Sequence, residues 1–383
     1  MKLRILHVNL SSGGLGRYGA LFANALSARD DIKVLNIINA GLINSKPLQR
    51  ILDGVEIIEY PTHNLMQKTE LPFVIKKIIR SWKPNIIHDT AGSGYAIGII
   101  ALSLAKGSTP LVVTEHDPEP HLGMGTSFHC RLARRLIRRY ADHIFVHGPL
   151  GKDVLIKKGV EAGRITVIPH GRLDSLFECS HVEVQREPYT ILFFGALRPN
   201  KGVQFLIPIA DSLYAKYPNV KFIVAGSPEV ARELRKTGWL QELKKILAEI
   251  RKRPYFEVHD RFIPDEEVAF FFRRASITLL PYLDATQSGV AMIAMPFGSV
   301  VVATRVGDLP FAINDGVTGY LAEPTIESIC DRLDYVLSHP NEVEEVRRKA
   351  QNFVATNCSW DKIMKQVVKI YREIIMRREW TTD

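Results

Sequence analysis

Residues 193–202 read Phe-Phe-Gly-Ala-Leu-Arg-Pro-Asn-Lys-Gly, and this stretch says more about function than any other. The apolar run 190–194 has the length and composition of a buried strand, and Gly195 ends it. Gly202 opens an amphipathic helical pattern carried by Val203, Phe205, Leu206, Ile209 and Leu213. Arg198 and Lys201 lie between the two. Strand, glycine, paired cations and helix N-terminus in this order make a phosphate or diphosphate site. Backbone amides and the positive end of the helix dipole point at the anion, and the cations neutralise it. Two solvated cations on an ordinary strand–helix loop would look the same, so the rest of the chain has to decide.

On both sides of this stretch, short apolar strands alternate with helical segments, the signature of α/β units on parallel sheets. Strands are predicted at 3–8, 33–38, 55–60, 85–88, 111–114, 143–147 and 165–168, with helices at 17–28, 95–105 and 127–140 among them. The pattern lapses into a polar stretch near 171–188. It restarts at 190–194, 221–225, 256–258, 277–280 and 300–303, and finishes in helices at 326–337, 342–356 and 360–377. The chain has 383 residues, more than one core usually holds. The reading is therefore α/β with two doubly wound domains, 1–172 and 189–358, a linker at 173–188 and a terminal helical segment, 359–383. Two such domains facing across a cleft place ligands at the carboxyl ends of their strands.

Composition narrows the function. With 46% hydrophobic and 24% charged residues the chain is an ordinary globular protein. Cys130, Cys179, Cys330 and Cys358 form no Cys-x-x-Cys pair, which argues against zinc or disulfide frameworks and fits a reducing cytoplasm. Strand one starts at once, without a signal-peptide pattern, and the longest uncharged run, 90–105, is too short to span a bilayer. A net charge of +9 favours acidic partners in general. No nucleic-acid-binding motif is present.

Three further loops carry candidate chemistry. Asn9-Leu-Ser-Ser-Gly-Gly-Leu-Gly16 follows strand one; Gly13 and Gly14 admit a ligand close to the backbone, although the spacing is not that of a dinucleotide fingerprint. Strand five ends in Thr114-Glu-His-Asp117, where His116 is placed for a sugar hydroxyl or phosphate, or where the three polar residues satisfy one another. Gln287 and Ser288 precede a helix predicted at 289–297 and offer donors to hydroxyls or an anion, or Ser288 is an N-cap.

The order of these segments resembles the retaining glycosyltransferases of family 4, which share the two-domain GT-B fold. The resemblance runs over essentially the whole chain: Gly13-Gly14, Thr114-Glu-His-Asp117, Ile168-Pro-His-Gly171, Gly195 with Lys201-Gly202, Val224-Ala-Gly226, Thr304-Arg-Val-Gly-Asp-Leu-Pro310, and Asp315-Gly316 with Gly319. It implies transfer of a sugar from a nucleotide-diphosphate-sugar donor to an acceptor hydroxyl, with retention. Gly13, Gly14 and Gly195 then lie near the donor, His116 meets the donor sugar, Arg198 and Lys201 bind the diphosphate, and Gln287, Ser288 and Gly289 meet hydroxyls and phosphate. The 258–263 loop, with Arg261 and Phe262, is the candidate for the nucleobase, and the resemblance implies that the terminal helix in 359–383 crosses back to the N-terminal domain. No metal or other cofactor is implied, since no Asp-x-Asp stands at a strand end.

Two departures stand out. The family's Glu-x7-Glu pair maps to Ala285 and Ile293, so both glutamates are missing, as in a recognised Gln-Ser-Gly subgroup. The usual arginine position, five before the lysine, is Ala196, and Arg198 takes over its charge. The acceptor is left open as a glycan, a glycolipid or a small polyol, with loops 41–49 and 62–71 as its selectors. Segment 128–140 packs five arginines beside Leu132, Leu136 and Tyr140, and 73–82 mixes apolar and basic residues. Together they suggest peripheral docking of a cytoplasmic enzyme on the anionic inner face of a membrane, or a core stripe with a solvated basic face. The alternatives are a catalytically inactive nucleotide- or sugar-binding protein and a nucleotide-sugar epimerase of the same fold.

Overall fold

The computed structural model describes residues 2–62, 64–121, 127–178, 184–228 and 237–379. Two compact units divide the chain. One comprises Met1–Glu119, Gly125–Leu176 and Ser359–Asp383, the other Pro120–Met124 and Phe177–Cys358. Part of the expected linker, 179–183, and with it Cys179, lies outside the described residues.

The first unit is built on seven strands, β1 (Leu3–Asn9), β2 (Ile32–Asn39), β3 (Ile57–Tyr60), β4 (Ile86–Asp89), β5 (Leu111–Thr114), β6 (His143–Val146) and β7 (Ile165–Val167). They are parallel, in the order β3-β2-β1-β4-β5-β6-β7. Their near-continuous apolar runs follow from burial on both faces, because successive side chains point to opposite sides. Leu6, Leu35, Ile87 and Val113 join one core, shared with helices Leu65–Trp82, Ala96–Ala105 and Phe128–Tyr140. Their neighbours Ile5, Val34, Ile86 and Val112 join the other, shared with helices Gly13–Ser27 and Trp360–Glu379. The last helix of the chain thus completes the first unit: Ile363, Met364, Val367, Val368, Tyr371 and Ile374 fall on one face by helical spacing and are buried there.

The second unit has six parallel strands, β8 (Glu187–Phe194), β9 (Lys221–Ala225), β10 (Phe256–His259), β11 (Ala275–Leu280), β12 (Val300–Thr304) and β13 (Tyr320–Ala322), in the order β10-β9-β8-β11-β12-β13. Both sheets reverse direction beside their first strand, between β1 and β4 and between β8 and β11. Ligands bind at such switch points, outside the carboxyl ends of the strands.

Several boundaries differ from the sequence reading. Gly202 does not open an α-helix. Its φ of 76° lies in the left-handed region, so short 3-10 turns run on either side of it and the α-helix starts at Leu206, with Pro208 tolerated in its first turn. The first helix begins at Gly13, not Arg17. The helix expected at 289–297 spans Ala291–Ala294, because Pro296 brings no amide to extend it. Strand β13 carries too short a signal, three residues, to be read before its partner β12 is known.

Candidate functional site

In the second unit the loop after β8 is tied to its neighbours by backbone bonds from Gly195 N to Ala225 O (2.9 Å) and from Leu197 N to Ser227 O (3.0 Å). Asn200, buried in its tip, accepts from Leu283 N at 2.9 Å through its carbonyl and donates from Nδ2 to Asp284 O at 3.2 Å. The loops after β8 and β11, on the two sides of the switch point, are therefore one assembly. Gly202 lets them approach: a Cβ there would sit 1.8 Å from Pro281 O. Lys201 projects from this assembly with Nζ 3.8 Å from the centre of the buried Tyr282 ring. The contact orients the ammonium without neutralising it, leaving its charge for an anion.

The loop after β11 brings Gln287, Ser288 and Gly289 into the same assembly. The Tyr282 hydroxyl lies 3.3 Å from Ser288 Oγ, which also accepts from Ala291 N at 3.3 Å. Ser288 thus does cap-like work at the short helix. The amide oxygen of Gln287 is buried without a hydrogen-bond partner, an acceptor that a ligand hydroxyl would satisfy. Ala285 and Ile293, where the family's glutamates are expected, are both buried, and no carboxylate stands at either position. Arg261 and Phe262 follow the edge strand β10; Phe262 is 59% exposed, and Arg261 pairs with Glu267 through both terminal nitrogens.

In the first unit the glycine loop after β1 becomes a helix N-terminus. Gly13 and Gly14 are exposed, and nothing lies within 4 Å of where a Cβ would stand at either. Asn9 shapes the loop by accepting from Ser11 N (3.1 Å) and donating to Leu15 O (3.1 Å) and Thr90 Oγ1 (3.0 Å). His7 lies between Asn36 Oδ1 (2.9 Å) and the same Thr90 hydroxyl (2.8 Å). Burial holds its pKa down at about 4, so the ring is neutral at pH 7.

His116, after β5, is 2% exposed; Nε2 is 3.1 Å from Thr90 O and Nδ1 is buried without a partner. Its neighbour Glu115 accepts from the hydroxyl (2.6 Å) and amide (3.0 Å) of Ser93, and burial raises its pKa to about 7. Asp89 at the end of β4 accepts from the amides of Ala91 (3.0 Å) and Gly92 (2.6 Å), and burial again pushes it up to about 7. Sequence reasoning missed Asn9, Asp89, Thr90, Asn200 and Tyr282. The polar residues at the ends of β1 and β4 were the available signal, since each stands at a switch point.

The arginine-rich helix also differs from its sequence reading. Its buried line is Ala133, Arg134 and Ile137, whereas Tyr140 is exposed. Ala133 and Ile137 share a core with Ala96, Ile99 and Leu102 of helix Ala96–Ala105, so the buried line faces that helix. Arg134 turns inward, its Nε donating to Asp117 O at 3.2 Å.

Two doubly wound sheets, each with ligand-type loops at its switch point, define the GT-B class of glycosyltransferase fold. The family model described as Glycosyltransferase Family 4 matches residues 12–172, and the one described as Glycosyl transferases group 1 matches residues 188–339. The chain belongs to this family of nucleotide-sugar-dependent glycosyltransferases. It is 28% identical to a D-inositol 3-phosphate glycosyltransferase of Mycobacterium avium, over 97% of this chain and 91% of that one. It is 20% identical to the gpi3 subunit of a phosphatidylinositol N-acetylglucosaminyltransferase of Schizosaccharomyces pombe, over 85% and 70% of the two chains. The fold matches that of Anabaena Alr3699/HepE, solved with UDP-glucose, with a TM-score of 0.75, 19% identity and coverage of 97% and 100%. Among the described residues no helix is long and apolar enough to cross a membrane.

Proposed function

We propose that this enzyme transfers a hexosyl group from a nucleoside-diphosphate sugar to an acceptor hydroxyl, with retention of anomeric configuration. The observation that carries the reading is Lys201, held over Tyr282 at the switch point of the second sheet. In the proposed reaction an oxocarbenium-like centre forms as negative charge builds on the departing diphosphate, and Arg198 and Lys201, fixed on one short loop, offset that charge. They supply what a metal ion would otherwise provide there. Gln287, Ser288 and Gly289 take donor hydroxyls and phosphate, Gly13 and Gly14 offer helix N-terminal amides, and Phe262 offers a ring face to the nucleobase.

A glycan or lipid-linked acceptor is favoured by the outward arginines Arg131, Arg135 and Arg139 on helix Phe128–Tyr140, and by Phe73 on helix Leu65–Trp82, 74% exposed beside Lys76, Lys77 and Arg80. Such a mixed surface fits an anionic bilayer. Flotation with phosphatidylglycerol vesicles at physiological salt is expected to carry the protein upward, and an unbound protein would remove the membrane from the proposal.

The second reading, a sugar-nucleotide-binding protein without turnover, is favoured by Ala285 and Ile293. A thermal-shift panel of UDP-, GDP-, ADP- and TDP-sugars on wild type and Lys201→Ala tests both. Stabilisation by one nucleotide series, lost in the variant and accompanied by turnover, supports the enzyme. Stabilisation without turnover across an acceptor panel supports the binder, and no stabilisation refutes the diphosphate site.

A further inference from the structure

The neighbouring strands β5, β6 and β7 each carry a histidine just beyond the carboxyl end: His116 after Thr114, His147 after Val146 and His170 after Val167. Parallel register brings the three side chains to one edge of the sheet, where all are buried and His170, at 9%, is the most open. The ring of Tyr18 packs edge-on against each of them, at centroid distances of 4.7, 5.2 and 5.1 Å.

One nitrogen of each ring faces a main-chain carbonyl. His116 Nε2 is 3.1 Å from Thr90 O, His147 Nδ1 is 3.3 Å from Ile168 O, and His170 Nδ1 is 2.8 Å from Gly171 O. A carbonyl only accepts, so these nitrogens carry the hydrogens. The opposite nitrogens are then bare lone pairs, and those of His116 and His147 are buried without any partner. A nitrogen from each ring lies within 4.8 Å of the other two. Burial is the main cause that depresses all three pKa values, His170 to about 3, so the rings stay neutral. A donor or a cation is missing from this arrangement.

We propose that His116, His147 and His170 bind one borderline transition-metal cation of the zinc class. Neutral imidazoles suit such ions, and a ligating histidine characteristically donates its other N–H to a carbonyl or carboxylate, as all three do here. A tetrahedral ion with bonds of about 2.1 Å places its nitrogens about 3.4 Å apart, so nitrogens up to 4.8 Å apart have to close by up to about 1.4 Å. The ion ties together the ends of three strands and pins His116. Its binding does not depend on the sugar-transfer reading and is measured with no nucleotide or sugar present.

The test starts from full-length protein stripped with a chelator and titrated with Co2+ and then Zn2+. One equivalent of Co2+ is expected to give the visible ligand-field bands of a four-coordinate site with three nitrogen ligands and one water, Zn2+ to displace them, and Zn2+ to raise the melting temperature. His147→Ala and His170→Gln are each expected to weaken binding more than about tenfold. His259→Ala, in the other unit, is expected to leave it unchanged. Because the wild-type cobalt spectrum reports the ligand set directly, a variant that fails to fold leaves the test intact. Absence of the bands and of any Zn2+ shift in folded wild type overturns the proposal and leaves a water among the rings. Unweakened binding in both folded variants overturns it equally.

Discussion

Replacing Tyr371 with phenylalanine removes a single oxygen atom, yet it is expected to destabilise the first unit by about 2 kcal/mol. Tyr371 lies on the last helix of the chain and is fully buried, and its hydroxyl is 2.5 Å from Nδ1 of His88 in β4. His88 is itself fully buried, and its Nε2 is held by Thr114 Oγ1 at 2.9 Å. Without the hydroxyl, Nδ1 has no route to water, and an unmet buried polar atom costs roughly 1–3 kcal/mol. Tyr371→Ala adds the loss of the ring and its contacts, which raises the cost to about 3–5 kcal/mol. Removing the helix altogether takes away six buried side chains, each contributing roughly 1.5–3 kcal/mol. That total is comparable with the whole stability of an ordinary domain, so a chain ending at Cys358 is expected to leave the first unit unfolded. Native-state hydrogen exchange at the amides of β1, β4 and β5 reads the first unit separately from the second. Unchanged protection of these amides in Tyr371→Phe, or a folded first unit in the shortened chain, would mean that the last helix does not hold the first unit together.

Lys201→Ala is expected to lower kcat/KM by about 10²-fold or more while leaving the fold intact, and steady-state kinetics beside a melting curve check it. Gly202→Ala forces a side chain into a positive-φ site 1.8 Å from Pro281 O; urea denaturation is expected to show a loss above roughly 1–3 kcal/mol, with weaker nucleotide binding because the two loops separate. Asp89→Asn tests the buried carboxylate. Its folded pKa of about 7 lies above its unfolded value, so the folded state keeps the proton longer and stability falls as pH rises through about 7. Relative to the asparagine variant, wild type is expected to lose about 2 kcal/mol between pH 5.5 and 8. A difference that stays flat over that range would show that Asp89 is ionised throughout.

The loop after β8 shows how far the local pattern reaches. Phe193 and Gly195 announced a strand and its end, and Arg198 and Lys201 announced charge beside it. Nothing local showed that Asn200 would be buried against Leu283 and Asp284, or that Lys201 would lie over Tyr282, because those partners are more than 80 residues away. The arginine-rich helix failed in a different way. Its periodicity was right, but which side faces the core depends on the neighbouring helix.

The alternation of strands and helices and the order of the motif loops were legible in the sequence. These follow from side-chain periodicity and turn chemistry within short windows. What those residues meet came from the tertiary structure: the strand order that gathers His116, His147 and His170, and the inward turn of Arg134. Burial and hydrogen-bond partners come from segments distant in the chain, and no short window contains both members of such a pair.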